Sequence, residues 1–373
     1  MAETTAYIGL GSNLGDRKSN IDRAVKMLAN RSKVAVSRVS DIIETPPLGS
    51  TDQPKYLNAV VEVRTGLTAH DLLRMFSEIE AALGRVRHGK WWPRTIDLDL
   101  LLFGGEVINS TELTVPHSQV HLRSFVLKGL CQLDPHLVHP VMNESVTDLA
   151  GRLGGLDFAI NSDAPQLVSV AGNIGVGKTT LARTLAARFG CELFLEPYDT
   201  NPFLPEVYAG RKELALDSQL YFLTSRARQL ATDSLAEGEL CISDYVFNKE
   251  TIYARRLLDA RQLALYEEIY PTFASKVAAP VLVIYMRDPA AKCLERIRNR
   301  NRPYEQKIEL AFLQRLDDDY ERLFADWKVC PAIRISTSQA MNVERVARQI
   351  GYYTADQFAS DGGAVQSAAS RGW

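Results

Sequence analysis

The chain has 373 residues, which is long for one domain and predicts two or three. Its formal net charge of −2 excludes proteins that bind nucleic acid or anionic membranes through bulk positive charge. The opening residues carry no basic and apolar leader, and no run of about eighteen apolar residues occurs, so we expect neither secretion nor a membrane span. The five cysteines stand far apart, which favours reduced thiols in a cytoplasmic protein.

The first half shows alternating strand and helix patterns. In chain order they predict a strand over 4–9, a helix with apolar residues between 21 and 28, strands over 34–43 and 56–64, a helix that begins after Thr68, and a strand over 95–103. Ser12 or Asp16 is the candidate cap of the first helix. The order β-α-β-β-α-β is typical of an α+β ferredoxin-like domain with its helices on one face of the sheet.

Two aspartates stand on one face of the last of these strands. Alternation places Ile96, Leu98 and Leu100 toward the core, and Asp97 and Asp99 opposite, with their backbones about 7 Å apart. The two carboxylates repel unless a cation lies between them, and Mg²⁺ takes carboxylate and phosphate oxygens together. A solvated acidic edge strand is the alternative. The loop over 84–94 brings four cations and two tryptophans beside the pair, which favours a phosphate site.

Several motifs of this half are together similar to those of one enzyme family. They are Gly9-Leu-Gly-Ser-Asn-Leu-Gly15, Glu44-Thr-Pro-Pro-Leu-Gly49, Gln53-Pro-Lys-Tyr-Leu-Asn58, Gly84-Arg-Val-Arg87, Trp92-Pro-Arg-Thr-Ile-Asp-Leu-Asp99, Leu113-Thr-Val-Pro-His117, Arg123-Ser-Phe125 and Leu133-Asp-Pro135. Through them, residues 4 to about 150 resemble the 6-hydroxymethyl-7,8-dihydropterin pyrophosphokinases of folate biosynthesis. The basic loop is one residue shorter than the commonest family form. Trp91 or Trp92 would therefore stack on the pterin, and the distance from Pro93 favours Trp92.

The resemblance implies a role for each matching residue. Asp97 and Asp99 would hold two Mg²⁺ ions across the phosphates of ATP. The residues that would bind the triphosphate, two of them catalytic, are Arg85, Arg94, His117 and Arg123. The residues that would form the pterin pocket are Thr45, Pro46, Leu48, Tyr56, Asn58, Trp92 and Phe125. The hydroxymethyl oxygen would attack the β-phosphorus of ATP and release AMP, with catalysis by positioning and charge neutralisation.

The second half opens with a phosphate-binding pattern. Gly172-Asn-Ile-Gly-Val-Gly-Lys-Thr-Thr180 fits G-x-x-x-x-G-K-[ST] between a predicted strand over 166–171 and a predicted helix over 179–189. Glycines let backbone N–H groups turn toward phosphate oxygens, and the helix N-terminus adds positive potential. A bare glycine-rich turn is the alternative. The pattern predicts a site for ATP and one Mg²⁺, formed by Gly172, Asn173, Gly175, Gly177, Lys178, Thr179 and Thr180, with Thr179 as metal ligand.

Strand and helix patterns alternate through the rest of this half. They predict strands over 192–197, 239–244, 279–286 and 332–335, a loop or short helix over 203–211, and a long helix over 214–235. Such alternation is typical of an α/β P-loop domain with a doubly wound parallel sheet, whose ligands gather at the carboxyl ends of the strands. The phosphate loop, Glu196 and Asp244 all fall at that edge.

A cluster of arginines follows the fourth strand of this sheet. Arg296 and Arg300 are four residues apart and share a helix face, and Arg302 lies just beyond them. In a protein with a phosphate loop, such a helix is typical of a lid over the transferred phosphate. A basic surface helix balanced by the acids at 317–319 is the alternative.

These features resemble the deoxyribonucleoside kinase family over residues 166 to about 350. The resemblance implies that Glu196 takes the proton of the nucleoside 5′-hydroxyl, with Lys178 and Arg296 on the phosphates. The other residues implied are Gln219 and Arg226 at the base and sugar, Tyr208 and Glu305 at the 3′-hydroxyl, and Arg300 and Arg302 in the lid.

One departure from the kinase family concerns the segment after the third strand. The family's Asp/Glu-Arg-Ser is replaced by Ser243-Asp-Tyr-Val-Phe-Asn-Lys249, which lacks the arginine. Lys249 or Arg226 is the candidate substitute, or the acceptor differs. A nucleoside monophosphate kinase and a non-catalytic nucleotide-binding or oligomerisation module are the alternatives for this half. A GTPase is disfavoured, because Asn248-Lys-Glu-Thr251 lacks the acid of a guanine reader.

The sequence therefore predicts a bifunctional enzyme with two ATP sites. We place a pyrophosphokinase domain at 1–157, a linker at 158–165, a kinase domain at 166–353 and a disordered tail at 354–373. The expected partners are ATP, the pterin and a deoxynucleoside, with a purine favoured and with no nucleic acid or membrane. The resemblance further implies a homodimer formed through the kinase half.

Overall fold

The structure is a computed structural model that describes residues 3–48, 53–85 and 92–355. The chain forms two compact units, residues 1–159 and 160–373. Trp91 and most of the tail expected to be disordered lie outside the described residues. Within the described ranges, no helix is both long enough and apolar enough to cross a membrane.

The first unit contains nine strands and four α-helices among its described residues. The strands are β1 (Thr4–Ser12), β2 (Val34–Val39), β3 (Ile43–Thr45), β4 (Tyr56–Thr65), β5 (Asp97–Phe103), β6 (Ile108–Asn109), β7 (Thr114–Val115), β8 (Val138–His139) and β9 (Glu144–Ser145). The helices are α1 (Arg17–Ala29), α2 (Ala69–Ala82), α3 (Ser124–Leu133) and α4 (Val146–Leu153). Asp16 caps α1 through the Ser19 N–H and Thr68 caps α2 through the Asp71 N–H, so Asp16 rather than Ser12 is the first cap.

The main sheet of this unit is antiparallel, with the order β2-β4-β1-β5, and β3 also pairs with β4. The predicted continuous strand over 34–43 is wrong, because it divides into β2 and β3. Ser40 interrupts it. Its N–H donates to the Val60 carbonyl at 2.9 Å, and its hydroxyl accepts from the Val60 N–H at 2.9 Å.

Alternation along β5 divides its side chains between the two faces of the sheet. Leu98 and Leu100 enter the core with Ile96, as predicted, and this core packs against α1 and α2. Asp97 and Asp99 therefore lie on the opposite face.

That opposite face is partly covered by α3. Val60 points away from the core formed by its neighbours Ala59 and Val61. A Cβ on Gly129 of α3 would stand only 2.4 Å from Cγ2 of Val60, so only glycine allows this close approach. The two helices of the predicted β-α-β-β-α-β unit, α1 and α2, pack on one face, and α3, which follows that unit in the chain, lies on the other.

The second unit contains five strands and nine α-helices among its described residues. The strands are β10 (Gln166–Gly172), β11 (Glu192–Phe194), β12 (Leu240–Ser243), β13 (Leu282–Arg287) and β14 (Ala332–Ser336). The helices are α5 (Lys178–Phe189), α6 (Leu204–Tyr208), α7 (Ala215–Gln229), α8 (Glu250–Leu257), α9 (Ala260–Ala274), α10 (Ala290–Arg300), α11 (Leu310–Ala325), α12 (Thr337–Ala340) and α13 (Val343–Tyr353).

All strands of this second sheet are parallel, in the order β11-β12-β10-β13-β14, which confirms the predicted parallel α/β domain. One apolar cluster surrounds α7 and α9, and another joins β13 to α11. The carboxyl ends of β10, β11, β12 and β13 meet at one edge, where the phosphate loop begins.

Two elements of this unit end earlier than predicted. The long helix expected over 214–235 is α7, which ends at Gln229, because Ala231 pairs with Val277 and the Thr232 N–H donates to the Lys276 carbonyl at 2.9 Å. The strand expected over 192–197 is β11, so Glu196 lies two residues beyond its end.

Candidate functional site

A cavity of about 810 Å³ opens on the face of the first sheet that carries the aspartate pair. Its lining includes every residue of this half that the sequence analysis predicts to bind substrate, ATP or metal. These are Thr45, Pro46, Leu48, Tyr56, Asn58, Arg85, Trp92, Arg94, Asp97, Asp99, His117, Arg123 and Phe125. They come from segments up to eighty positions apart in the chain, so a shared local motif cannot account for their convergence.

One side of the cavity is suited to a flat heterocycle. The Asn58 amide donates to the Thr45 hydroxyl at 2.9 Å. Trp92 keeps 56% of its surface exposed and lines the cavity with Phe125. Gly11 leaves space for the Asn58 side chain, because a Cβ at Gly11 would stand only 3.2 Å from Oδ1 of Asn58. Aromatic faces beside an amide and a hydroxyl fit a ring that both stacks and hydrogen-bonds.

Asp97 is held between two arginines. Arg85 donates to Oδ1 of Asp97 and Arg94 donates to Oδ2. Arg94 is itself fixed through its backbone, because its N–H donates to Oδ1 of Asn13 at 2.7 Å and its carbonyl accepts from the Asn13 N–H at 3.1 Å. Sequence reasoning gave Asn13 no role of its own.

Asp99 is exposed to the same cavity. Desolvation by the surrounding protein and the charge of Asp97 raise the pKa of Asp99 to about 7. The charges of Arg94, Arg85 and Arg123 oppose this rise. A divalent cation beside the two carboxylates would favour the ionised form of both. Among the described residues, no group of three or more His, Cys, Asp or Glu side chains is placed to hold a metal. The two carboxylates on the cavity, Asp97 and Asp99, fit Mg²⁺, which usually takes its remaining ligands from phosphates and water.

His117 has a defined orientation. Its Nδ1 accepts from the Gln119 N–H at 3.3 Å, which leaves Nε2 as the donor of the neutral ring. Burial and the charge of Arg123 lower the pKa of His117 and favour that neutral form. Arg123 donates to the Gln119 side-chain oxygen, so Gln119 orients both groups.

Glu80 was missed by sequence reasoning. Its side chain is only 6% exposed, and Oε1 accepts from Arg85 and, at 2.9 Å, from the Leu98 N–H. Glu80 therefore anchors Arg85 behind Asp97. Its sequence signal is a carboxylate four residues after Phe76, on the apolar stripe of α2.

Asp157 is a second missed residue of this cavity. Its Oδ1 accepts from the Ser124 N–H at 2.6 Å, at the start of α3. Burial raises its pKa, although the Ser124 N–H and Arg123 oppose this. Asp157 is the last residue of the predicted first domain, so the cavity uses the chain right up to that boundary.

In the second unit, the phosphate loop depends on three glycines with positive φ. Gly172 has φ 138°, and a Cβ there would stand 2.4 Å from the Met286 carbonyl oxygen. Gly175 has φ 81°, and a Cβ would stand 2.5 Å from the Cys293 carbonyl oxygen. Gly177 has φ 103° and leads directly into α5. Strain and contact together exclude larger residues at the first two positions.

The side chains of the phosphate loop differ in direction: Lys178 spans the loop, Asn173 points into the protein and Thr180 points to the surface. Lys178 bridges the loop by donating to the Asn173 carbonyl at 2.8 Å. The Asn173 side chain turns into the protein, where its amide donates to the Leu313 carbonyl at 2.9 Å, so only its backbone remains for phosphate. Thr180 is exposed in the first turn of α5.

Asp244 connects the loop to Glu196. Its Oδ2 accepts from the Thr179 hydroxyl at 2.6 Å, and its Oδ1 accepts from the Glu196 N–H at 2.7 Å. Asp244 is 2% exposed. A hydroxyl beside a fixed carboxylate fits Mg²⁺ bound to the phosphates of ATP, with Thr179 as the direct ligand.

Glu196 lies between two cations. Arg226 donates to its Oε1 and Lys249 to its Oε2. Burial raises the pKa of Glu196, but the charges of Lys249, Arg226 and Lys178 outweigh it and hold the pKa well below its usual range. Glu196 is therefore ionised at neutral pH. Burial lowers the pKa of Lys249 to about 7, although the charge of Glu196 opposes this shift.

Arg226 also contacts a second acid that the sequence analysis did not single out. It donates to Glu250, which is fully buried and also accepts from the Tyr266 hydroxyl at 2.7 Å. A buried charge requires such partners. The sequence analysis gave neither Glu250 nor Tyr266 a role, and their position behind Arg226 identifies them.

The three arginines predicted to form a lid do not share one helix. Arg296 contacts Asp288 and donates to the Gly175 carbonyl at 3.4 Å, which brings it against the phosphate loop. Arg300 ends α10 and contacts Glu305. Arg302 follows the left-handed residue Asn301, and its guanidinium lies 4.1 Å from the Tyr198 ring centre.

The predicted nucleoside contacts differ in exposure. Gln219 is 2% exposed, and its Oε1 has no hydrogen-bond partner among the described residues. Tyr208 is half-buried at the end of α6, which packs against the three-ten turn Pro303–Glu305. A buried carbonyl without a partner is rare and favours a ligand group at that place.

Comparison with known proteins separates the same two parts of the chain. Residues 7–135 match the 7,8-dihydro-6-hydroxymethylpterin-pyrophosphokinase family, and residues 168–352 match the deoxynucleoside kinase family. The 2-amino-4-hydroxy-6-hydroxymethyldihydropteridine pyrophosphokinase of Bacillus subtilis is 46% identical over 128 residues, which are 34% of this chain and 77% of that protein. The deoxyguanosine kinase of Bacillus subtilis is 37% identical over 157 residues, which are 41% and 76%.

A solved structure of deoxyadenosine kinase from M. mycoides with bound dATP is 23% identical, with a TM-score of 0.44 over 50% of this chain and 98% of that one. The matched segments of this chain cover about three quarters of the length of each of the two Bacillus subtilis relatives. The chain therefore belongs to two families, the 6-hydroxymethyl-7,8-dihydropterin pyrophosphokinases through its first part and the deoxynucleoside kinases through its second.

Proposed function

We propose that the chain is a bifunctional enzyme whose two parts use ATP in different ways. The first part transfers pyrophosphate from ATP to 6-hydroxymethyl-7,8-dihydropterin and releases AMP. The second part transfers the γ-phosphoryl group of ATP to the 5′-hydroxyl of a deoxyribonucleoside and releases ADP. The convergence of the nominated residues on one cavity supports the first activity, and the link from Thr179 through Asp244 to Glu196 supports the second.

In the pyrophosphokinase site, the protein contributes mainly position and charge. Tyr56, Trp92 and Phe125 would hold the pterin ring, while Thr45 and Asn58 would read its edge. Arg85, Arg94, Arg123 and the Nε2–H of His117 would neutralise and orient the triphosphate. Asp97 and Asp99 would hold two Mg²⁺ ions, which supply charge neutralisation at the phosphates. Such a site accelerates transfer by aligning the hydroxymethyl oxygen with the β-phosphorus.

In the kinase site, Glu196 would accept a hydrogen bond and then the proton from the 5′-hydroxyl. Because the pKa of Glu196 is held low, it aligns the nucleophile more than it drives deprotonation. Lys178 and Arg296 would stabilise the transferred phosphoryl group, and one Mg²⁺ held through Thr179 would neutralise the phosphates. Arg300 and Arg302 would complete the lid.

We infer a purine deoxyribonucleoside as the acceptor, with deoxyguanosine the first to test. The deoxyguanosine kinase relative supports this choice, and the unpartnered Oε1 of Gln219 supports an N–H donor on the base. Arg226 would lie at the base and sugar, and Tyr208 and Glu305 at the 3′-hydroxyl. A nucleoside monophosphate acceptor is disfavoured, because Arg226 is already neutralised by two carboxylates.

We further infer a ferredoxin-like arrangement for the first unit. The order β2-β4-β1-β5, with α1 and α2 between successive strands, supports it. We also propose domain limits of 1–157 and 166–353, with a joining segment between them. Homodimerisation through the kinase part and a cytoplasmic location remain expectations, which light scattering and cell fractionation would test.

The decisive experiment separates the two products of ATP. The protein is incubated with ATP, Mg²⁺ and one acceptor at a time, and AMP is resolved from ADP. The pterin should yield AMP, lost in Asp97→Ala and retained in Lys178→Ala, and deoxyguanosine should yield ADP with the opposite pattern. Glu106→Ala, an exposed site outside both proposed active sites, is the matched control. If no nucleoside or nucleoside monophosphate yields ADP, the second part is a non-catalytic module.

A further inference from the structure

We propose that Lys249 binds the acceptor in the kinase site, with its ammonium on the nucleoside 5′-oxygen while Glu196 receives the hydroxyl proton. The inference rests on the proposed kinase function and adds a residue to it. It also identifies which cation stands in for the arginine that this chain lacks.

The position of Lys249 is unusual for a lysine. It ends the three-ten turn Phe247–Lys249, which follows β12 at the ligand-binding edge of the sheet, and its side chain is only 3% exposed. Its ammonium contacts Oε2 of Glu196 and lies 5.7 Å and 5.6 Å from the ring centres of Tyr245 and Tyr253. Burial of an ammonium is unfavourable unless an acid compensates it, and Glu196 is the acid that Lys249 contacts.

Arg226 is held in place by more groups than Lys249 and is less free to turn toward a ligand. Arg226 contacts Oε1 of Glu196 on one side and the fully buried Glu250 on the other. Its guanidinium also lies 4.2 Å from the centre of the Phe222 ring. Arg226 is thus fixed by three groups, whereas an ammonium on a flexible stem can turn from Glu196 toward a ligand.

An acceptor hydroxyl that donates a hydrogen bond to Glu196 would lie close to Lys249. A hydroxyl that donates to Oε2 of Glu196 would lie about 2.7 Å from that oxygen, and so within about 5 Å of the Lys249 ammonium, which contacts the same oxygen. Asp244 joins the Glu196 backbone to Thr179, which sets this carboxylate beside the phosphate loop. Lys249 therefore stands where the acceptor oxygen and the γ-phosphorus must meet.

Phosphoryl transfer at this site forms one bond and breaks another. A bond forms between the 5′-oxygen and the γ-phosphorus, and the bond from that phosphorus to the β–γ bridging oxygen breaks, with its electron pair leaving on ADP. The hydroxyl proton passes to Glu196 and then to solvent. Lys249 keeps its proton and stabilises the negative charge that develops on the 5′-oxygen.

The competing explanation is that Lys249 only compensates buried charge. To separate the two, ADP formation with deoxyguanosine is measured for Lys249→Met, Lys249→Arg and Lys249→Ala. The exposed lysine variant Lys276→Met is the matched control. Binding of ATP and the melting temperature report on the fold of each variant. Alkylammonium ions are added to Lys249→Ala to restore the missing charge.

We expect kcat of Lys249→Met to fall about 100-fold or more, with ATP affinity retained. Lys249→Arg should recover about a tenth of the wild-type rate, alkylammonium should raise the rate of Lys249→Ala about tenfold, and Lys276→Met should match wild type. Wild-type kcat in Lys249→Met, or a loss that neither arginine nor amine restores, overturns the proposal. If the wild-type protein forms no ADP with any nucleoside, the proposed kinase function fails instead.

Discussion

Arg300 and Glu305 form a bidentate ion pair, in which Nε lies 2.6 Å from Oε2 and Nη2 lies 2.7 Å from Oε1. Glu305 is 7% exposed at its side chain, and Arg302 approaches it at 3.5 Å. The acid proposed to hold the sugar 3′-hydroxyl thus also holds two lid arginines. We therefore expect binding of the sugar and the position of the two arginines to be coupled through one carboxylate.

Glu305→Gln should weaken this coupling. Loss of a charged hydrogen bond of about 1.5–3 kcal/mol should lower kcat/KM for the deoxynucleoside about 10- to 100-fold. The preference for a 2′-deoxynucleoside over its 2′,3′-dideoxy analogue should largely disappear. Steady-state ADP formation with both substrates measures this. Glu295→Gln, at an exposed site on α10, is the control and should keep the preference. An undiminished preference in Glu305→Gln would contradict the assignment.

Glu80→Gln should impair the pyrophosphokinase part. Arg85 would lose the carboxylate that anchors it behind Asp97, and we expect kcat/KM for AMP formation to fall about tenfold. Glu78→Gln is the matched control, because Glu78 is two positions away on the same helix and is 62% exposed beside Arg31. Equal effects of the two substitutions on AMP formation would show that Glu80 has no special role.

Gly175→Ala should strongly reduce ADP formation while Gly190→Ala should not. Both glycines have positive φ, 81° and 64°, but only at Gly175 would a Cβ meet backbone, the Cys293 carbonyl oxygen at 2.5 Å. Gly190 has open space around it, so its substitution isolates the conformational cost of about 1 kcal/mol. Displacement of the phosphate loop should cost about 100-fold in kcat. Similar ADP-forming rates in the two variants would contradict this.

His139 should make the first unit sensitive to acid. Burial, with a smaller contribution from His121, lowers the pKa of His139 from 6.5 to about 4. Between these values the unfolded chain binds the proton more readily, so the stability from His139 is complete above pH 6.5 and is lost as the pH falls. At about 1.4 kcal/mol per pH unit, the loss approaches about 3 kcal/mol near pH 4.

The prediction for His139 is checked by measuring the midpoint temperature of thermal unfolding as a function of pH, in wild type and in His139→Gln. The glutamine keeps an acceptor for the Met142 N–H, which donates to Nδ1 of His139 at 3.2 Å. Comparing the two proteins cancels the contributions of other titrating groups. The wild-type midpoint should fall more steeply below pH 6.5, and parallel curves would show that His139 is not the titrating group.

The sequence by itself determined the features that depend on neighbouring residues. Period-two alternation was enough to place Asp97 and Asp99 on one face of β5, because strand geometry fixes side-chain direction. The Thr68 cap and the phosphate loop around Gly172 likewise depend on hydrogen bonds and φ values within a few residues. The resemblance of the first half's motifs to the pyrophosphokinase family then predicted the residues that line the first cavity.

Only the tertiary structure decided features that depend on distant partners. The break between β2 and β3 requires Val60, and the early end of α7 requires Val277. Glu80 and Glu250 were assigned no role from the sequence, and their importance follows from the charges that folding brings beside them. A charged residue in a sequence gives no sign of its burial, because its desolvation cost and compensating partners exist only once the chain is folded.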